Sequence, residues 1–131
     1  MGFQDDYVMR TISDLVQALA RLVLKKNNID YELPEDEDKD TEMDRRYRRI
    51  KTLVDDGDVN GAENMLFEEV DPEDMRYLEV ALTFYMYLNE LSDEELIGCN
   101  YSREEIVEGI NNICAEFGVT GFEHFVDTTM V

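Results

Sequence analysis

Apolar residues recur along most of this chain every three or four positions, which is the spacing of amphipathic α-helices. No stretch shows the sustained apolar–polar alternation of a half-buried strand. The pattern predicts an all-α, single-domain bundle of five or six helices over residues 1–131, with a short turn of helix between Ser92 and Gly98. The five main segments run from about Asp5 to Lys26, Thr41 to Asp55, Val59 to Val70, Pro72 to Leu91 and Ser102 to Gly118.

Residues that favour helix ends stand at these boundaries. Gly57 follows the second segment, where glycine takes the left-handed conformation that ends a helix at low cost. Pro72 suits the first position of the fourth segment. Ser92 and Ser102 are each followed three residues later by a glutamate, which is the capping-box pattern. The boundaries and the periodicity therefore support the same set of helices.

The fourth segment differs from the others because apolar residues surround most of its circumference. A helix with this pattern is typical of the central member of a bundle. It also carries Tyr77, Tyr85 and Tyr87, for which two interpretations are open. The rings either fill the core, or they line an aromatic groove for a partner helix or a second copy of the chain.

Acidic residues crowd the stretch from Asn27 to Glu42, which holds eight acids and one base, Lys39. Such a run repels itself, so an acidic flexible loop is predicted over residues 27–42. Directly after it, a basic island presents Arg45, Arg48 and Arg49 on the outward face of the second helix. These arginines either form a solvated face or pair with the preceding acids, or they contact a protein or phosphate group of a partner.

The overall charge excludes several classes of partner. The 131 residues suffice for one domain, and 44% of them are apolar, so a folded core is expected. The net charge of −20 opposes direct contact with nucleic acid or an anionic membrane. No run of apolar residues is long enough to span a bilayer. Because the two cysteines form no disulfide framework, a reducing cytoplasm fits best.

One short stretch resembles the start of a calcium-binding loop. Asp56, Asp58 and Asn60 have the spacing of the first oxygen ligands, and a glycine follows at the sixth position. Phe67 stands where the bidentate glutamate belongs, which removes two of the required oxygens. The competing interpretation is a tight turn between two helices, in which Asp58 or Asn60 caps the second helix. This interpretation is favoured, and no metal or cofactor is expected.

The residues needed for nucleophilic catalysis are sparse. Cys114 lies on an apolar stripe, which is typical of a core thiol, whereas Cys99 falls in a turn. His124 is the one histidine of the chain, so a site with two histidine ligands is impossible within one copy. A pair of His124 with a cysteine depends on proximity in space, which the sequence does not reveal. The protein is therefore expected not to be an enzyme.

Two resemblances to known families extend this description. Gly57, Ala62 and Leu66 have the spacing of a tetratricopeptide helical hairpin, although no second copy follows 34 residues later. The opening residues Asp6–Arg10 and Ile12–Arg21 resemble an uncharacterised Firmicutes family of small acidic proteins, known as a domain of unknown function. That resemblance extends through Leu53–Phe67. It implies a cytoplasmic bacterial helical protein and carries over no catalytic residue.

Three hypotheses about function follow, although the function itself stays unknown. The leading one is a non-enzymatic protein–protein interaction module, with a protein partner or a second copy of the chain. The second is an acidic mimic or sink that binds a basic, nucleic-acid-binding protein. The third is calcium binding at residues 56–61. Under the second hypothesis the clustered carboxylates of the C-terminal half make the contact, namely Glu94, Glu95, Glu104, Glu105 and Glu108.

Overall fold

The computed structural model describes residues 3–27, 31–68 and 70–119. This part of the chain contains α-helices and one 3-10 turn, at Glu37–Lys39, and no strand, so the predicted all-α bundle is confirmed. The six helices are α1 (Phe3–Leu22), α2 (Glu42–Asp55), α3 (Val59–Glu68), α4 (Met75–Glu90), α5 (Asp93–Gly98) and α6 (Arg103–Glu116). None of them has the length and apolar content that crossing a membrane requires, within the residues described.

Two helices are shorter than their apolar pattern suggested, because backbone and side-chain caps end them early. Helix α1 stops at Leu22, where Lys25 adopts a left-handed φ of 60° and the Lys26 amide donates to the Ala20 carbonyl. This is the bonding of a helix terminus. Helix α4 begins at Met75 because the Asp74 carboxylate accepts the Arg76 amide. Periodicity alone overlooks such caps.

Helix α4 is the centre of the bundle. Eleven of its sixteen residues are buried, and α1, α2 and α6 all pack against it. The largest core side chains come from every neighbouring helix, so one continuous apolar core holds the described residues together. Its fully buried members include Ile12, Leu19, Ile50, Leu66, Leu82 and Ile110.

Helices α2 and α3 form a hairpin across the three-residue turn 56–58. Gly57 has a φ of 89°, the left-handed region predicted for it. The Asp58 carboxylate accepts the Gly61 amide at 2.9 Å and so caps the start of α3. The two helices pack against each other, and Val54 on α2 and Leu66 on α3 are both buried in the core.

Residues 31–41 are held against α2 and α4. Tyr31 is buried with its ring 5.1 Å from that of Tyr47, and its backbone amide donates to the Thr83 hydroxyl. Arg48 on α2 donates to the Pro34 carbonyl and to the Asp40 carboxylate. Within the described part of the predicted flexible loop, these bonds give the acidic segment a defined path over the bundle.

Arg103 joins the C-terminal helices to the centre of the bundle. It is buried, and its guanidinium donates to the carbonyls of Asn89 and Leu91 and to the Asp93 carboxylate at 3.0 Å. The Asn89 side-chain amide in turn donates to the Met9 carbonyl. This chain of bonds connects α6, α4 and α1 and satisfies most donors of a charge that would be costly to bury alone.

The contact between α4 and α6 generates a first prediction. Gly109 lies against the Tyr85 ring and hydroxyl so closely that a Cβ atom at position 109 would overlap them. Since Tyr85 is fully buried and cannot move aside, we expect Gly109→Ala to lower the free energy of unfolding by about 1–3 kcal/mol. This loss opposes the intrinsic preference of helices for alanine, which is worth about 1 kcal/mol.

Urea denaturation followed by circular dichroism measures this effect. Gly98→Ala is the matched control, because Gly98 is also helical and an added Cβ atom there would meet open space. The control should be as stable as the wild type or slightly more so. A Gly109→Ala variant of unchanged stability would contradict the close packing.

Candidate functional site

An acidic groove runs between α3 and α6. It encloses a volume of about 490 Å³, and its polar walls are made of four carboxylates and two amides: Glu63, Glu105, Glu108, Glu116, Asn64 and Asn112. Phe67, Gly109 and Ala115 supply the apolar part of the surface. Among the described residues, no lysine, arginine or histidine lines this groove. The groove therefore concentrates negative charge with no neutralising side chain in its walls.

Glu63 is the most firmly held carboxylate of the groove. Its Oε2 atom accepts hydrogen bonds from the Tyr85 hydroxyl at 2.5 Å and from the Tyr101 hydroxyl at 2.9 Å. Burial, and then the nearby charge of Glu63, raises the pKa of both tyrosines well above the ordinary range. Both hydroxyls therefore stay protonated and donate, which fixes Glu63 in one orientation.

Part of the acceptor capacity of the groove is unused among the described residues. Both bonds from described residues to Glu63 use Oε2, which leaves Oε1 for a further donor. Glu108 and Glu116 are exposed and form no hydrogen bond or ion pair with any described residue. Glu105 is partly occupied, since it accepts the Ser102 amide at 2.8 Å in a capping box. This arrangement suits the binding of ammonium or guanidinium groups.

A second polar cavity lies on another side of α4, with a volume of about 580 Å³. At its base the buried Asp44 carboxylate accepts the Tyr31 hydroxyl at 2.5 Å and the Thr41 amide at 2.8 Å. Burial acts to raise the pKa of Asp44, but these hydrogen bonds outweigh it and hold the pKa below its usual range. Burial, followed by the bond to Asp44, raises the pKa of Tyr31 to about 12.

The three tyrosines predicted to line an aromatic groove lie in separate places. Tyr77 and Tyr85 are 2% and 0% exposed, so both rings belong to the core rather than to an open groove. The Tyr77 hydroxyl donates to the Leu66 carbonyl. Tyr87 is half-buried and donates to Asp55 at 3.0 Å, a bond that raises the pKa of Tyr87 together with burial. Tyr85 contributes to the acidic groove indirectly, by holding Glu63.

The predicted basic island is largely paired with the acidic segment before it. Arg48 binds Asp40 at 2.6 Å, a bond that raises the pKa of the guanidinium, and Arg45 donates to the Asp40 carbonyl at 3.0 Å. Arg49 is exposed. The structure thus brings Arg45 and Arg48 together on Asp40, as the self-pairing interpretation of the island predicted.

The three candidate calcium ligands belong to the turn between α2 and α3 and its surroundings. The Asp56 backbone amide donates to carbonyls of α2 as its C-terminal cap, the Asp58 carboxylate caps α3, and the Asn60 side-chain amide donates to the Asn100 carbonyl at 3.3 Å. No group of three or more histidine, cysteine or acidic side chains in the described residues is arranged to hold a metal ion. The stretch is the interhelical turn that the competing interpretation predicted.

The acidic cluster predicted for the C-terminal half is divided by the fold. Glu105 and Glu108 line the groove, whereas Glu94, Glu95 and Glu104 do not. Glu63 and Glu116 were not predicted from the sequence. Both glutamates have other acidic residues nearby in the sequence. In a chain this acidic, such clustering does not distinguish a groove residue from any other surface carboxylate.

The two candidate nucleophiles differ in burial. Cys99 is half-buried and Cys114 is buried, and neither forms a disulfide bond. The predicted final turn with His124 lies outside the described residues.

A protein-family model described as a family of unknown function, DUF6483, matches residues 2–118. The chain belongs to this family. The match agrees with the resemblance to an uncharacterised family noted from the opening residues. No curated protein and no solved structure matches the chain. The function of this DUF6483 member is therefore inferred from its own geometry.

The bonds to Glu63 generate a second prediction. Tyr85→Phe and Tyr101→Phe keep the ring volumes but each removes one donor from a charged acceptor, so each should cost about 1.5–3 kcal/mol of unfolding free energy. Urea denaturation measures the loss. Tyr7→Phe is the control, because Tyr7 is 52% exposed, and it should change stability by less than about 0.5 kcal/mol. Equal stability of all three variants would disprove the anchoring of Glu63.

The lowered pKa of Asp44 generates a third prediction, on acid stability. A carboxyl group whose pKa is lower in the folded state stabilises the fold above the unfolded pKa, and this contribution disappears as the pH falls through the folded pKa. We therefore expect Asp44→Asn to be less stable than the wild type at about pH 7 and to lose less stability on acidification to about pH 3.

Urea denaturation at both pH values tests this expectation. Asp14→Asn, which replaces an exposed carboxylate on α1, is the control and should lose as much stability on acidification as the wild type. If Asp44→Asn loses as much stability on acidification as the wild type does, then Asp44 does not contribute to the acid sensitivity of the fold.

Proposed function

We propose that the protein is a non-enzymatic interaction module that binds a lysine- or arginine-bearing segment of a partner protein in the groove between α3 and α6. The observation that carries the proposal is the anchored Glu63 carboxylate, surrounded by Glu105, Glu108 and Glu116 in a groove without basic walls. An orientation held by two buried tyrosines reduces the ordering that binding would otherwise require.

The distribution of charge supports a basic partner. The last 80 residues contain 20 acids and two bases, which leaves a formal charge of −18. One of the two bases, Arg103, is buried and bonded within the fold, and the other, Arg76, lies at the second cavity. The field at the groove therefore attracts cationic segments and repels nucleic acid.

An apolar docking surface has less support. The large apolar side chains that are exposed in the described residues are Tyr7, Leu22, Met75 and Ile97. They lie on different helices or at opposite ends of one helix, and α4 contributes only Met75. Scattered apolar residues of this kind are normal on a protein surface. The acidic-mimic hypothesis is thus favoured over the tyrosine groove.

The proposal includes a bacterial, cytoplasmic setting and needs no cofactor. Neither cysteine forms a disulfide bond, which suits a reducing compartment. The α2–α3 hairpin, with its resemblance to a tetratricopeptide unit, supplies Glu63 and Asn64 to the groove. Such hairpins build binding surfaces in repeat proteins.

A fluorescently labelled peptide of about ten lysines tests the site by fluorescence anisotropy at low salt. We expect the double variant Glu108→Gln/Glu116→Gln to weaken binding about tenfold, which corresponds to about 1.4 kcal/mol. The matched control is Glu73→Gln/Glu94→Gln, which removes the same charge from exposed positions outside the groove. The control should bind within about twofold of the wild type.

Because the two double variants have equal net charge, general attraction affects them equally. Equal weakening in both would show that the peptide senses only the overall charge, and the groove would be rejected as the site. Binding should also weaken steeply as salt is added, since the contacts are between exposed charges.

A further inference from the structure

The second cavity is separate from the acidic groove and differs from it in chemistry. It lies between the residues that follow α1, the start of α2 and the first turns of α4, with a volume of about 580 Å³. Charges of both signs line it, together with hydroxyl groups; the main lining residues are Lys26, Tyr31, Thr41, Asp44, Arg76 and Glu79. In small-molecule sites, placed polar groups fix the orientation of the ligand, and this cavity offers such groups of both charges.

The inner part of this cavity is anionic. Asp44 and Glu79 are only 6% and 8% exposed, although carboxylates are rarely buried unless they are paired. Hydrogen bonds from Tyr31 and Thr41 satisfy Asp44. The buried Oε2 atom of Glu79 accepts no hydrogen bond of good geometry, and its partner in the described residues is the ammonium of Lys26.

The outer part of the cavity is cationic. Arg76 precedes Glu79 by three residues on α4, a spacing that puts their Cβ atoms about 5–6 Å apart. The two side chains nevertheless do not pair. Arg76 makes long contacts with Asp74, at 3.3 and 3.4 Å, and its side chain is 60% exposed. Its Nη1 atom has no hydrogen-bond acceptor among the described residues.

We propose that this cavity binds a free α-amino acid as the zwitterion, with the ammonium group on Glu79 and the carboxylate on Arg76. An α-amino acid carries its two charges on one carbon, which suits charged partners one helical turn apart on a single helix. The ligand ammonium takes the place of Lys26, whose side chain is 50% exposed and can turn to solvent. The volume of the cavity leaves room for the ligand side chain.

The mixed charge makes the cavity selective for a zwitterion. An anion without an ammonium group would be repelled by Asp44, Glu79 and Glu32. An amine without a carboxylate would leave the Nη1 atom of Arg76 without an acceptor. A molecule that carries only the ammonium group or only the carboxylate is therefore expected to bind more weakly than the amino acid.

Thermal denaturation of the full chain with each of the twenty standard amino acids, followed by calorimetry, tests the proposal. At about ten times its Kd, a bound amino acid should raise Tm by about 4 °C. The N-acetyl form of that amino acid lacks the ammonium group, and its amide form lacks the carboxylate. Both should bind at least about tenfold more weakly. A chain that binds none of the amino acids, or binds the amide equally well, would overturn the proposal.

Variants distinguish the two recognition groups. Glu79→Gln and Arg76→Gln should each weaken binding about tenfold, while Glu73→Gln, outside the cavity, should leave it unchanged. Each Tm shift is measured against the ligand-free form of the same variant, so a change in stability does not hide the result. Unchanged binding by Glu79→Gln or Arg76→Gln would overturn the proposed orientation.

Lys26→Gln gives the most specific result. Since Lys26 competes with the ligand for Glu79, this variant should bind the amino acid more tightly than the wild type does. If Lys26→Gln binds the amino acid more weakly than the wild type does, the proposal that the ligand ammonium displaces Lys26 is overturned. These measurements do not involve the α3–α6 groove, so they are independent of lysine-peptide binding.

Discussion

Tyr85 has no exposed surface, and its ring and hydroxyl lie against the backbone of Gly109. This contact sets how closely α4 and α6 approach, because any side chain at position 109 would push the helices apart. The same hydroxyl extends to Glu63 on α3, so one tyrosine connects three helices. The acidic groove depends on this connection. Without the Tyr85 and Tyr101 donors, Glu63 would be an ordinary surface carboxylate with many orientations.

Many of the carboxylates that give the chain its net charge of −20 have structural roles. Capping boxes at Thr41, Ser92 and Ser102 place an acid at the positive end of a helix dipole. Arg103 is occupied inside the fold, where it bonds to the ends of α4 and α5. Glu108 and Glu116 of the groove are exposed and have no such role among the described residues. They are therefore the part of the charge that is available to a partner.

Most of the helices could be predicted from the sequence, because periodicity and caps are local properties. The hairpin turn at Gly57 and the two serine capping boxes were predicted and found. The ends of α1 and α4 were missed by three or four residues, since a lysine in the left-handed conformation and an aspartate cap decide them. The sequence left both a core and a groove open for the tyrosines, because tyrosine has an apolar ring and a polar hydroxyl. Burial places the rings of Tyr77 and Tyr85 in the core.

The sequence by itself determined the helical class, the central place of α4 and the sign of the charge, because these depend on composition and on spacing within single segments. Only the tertiary structure decided which charges meet. Glu63 and Glu108 are 45 residues apart in the chain yet line one groove, whereas Glu104 and Glu105 are adjacent and face different surroundings. Helix packing brings residues that are distant in the sequence together and separates residues that are adjacent in it, and this rearrangement forms both proposed sites.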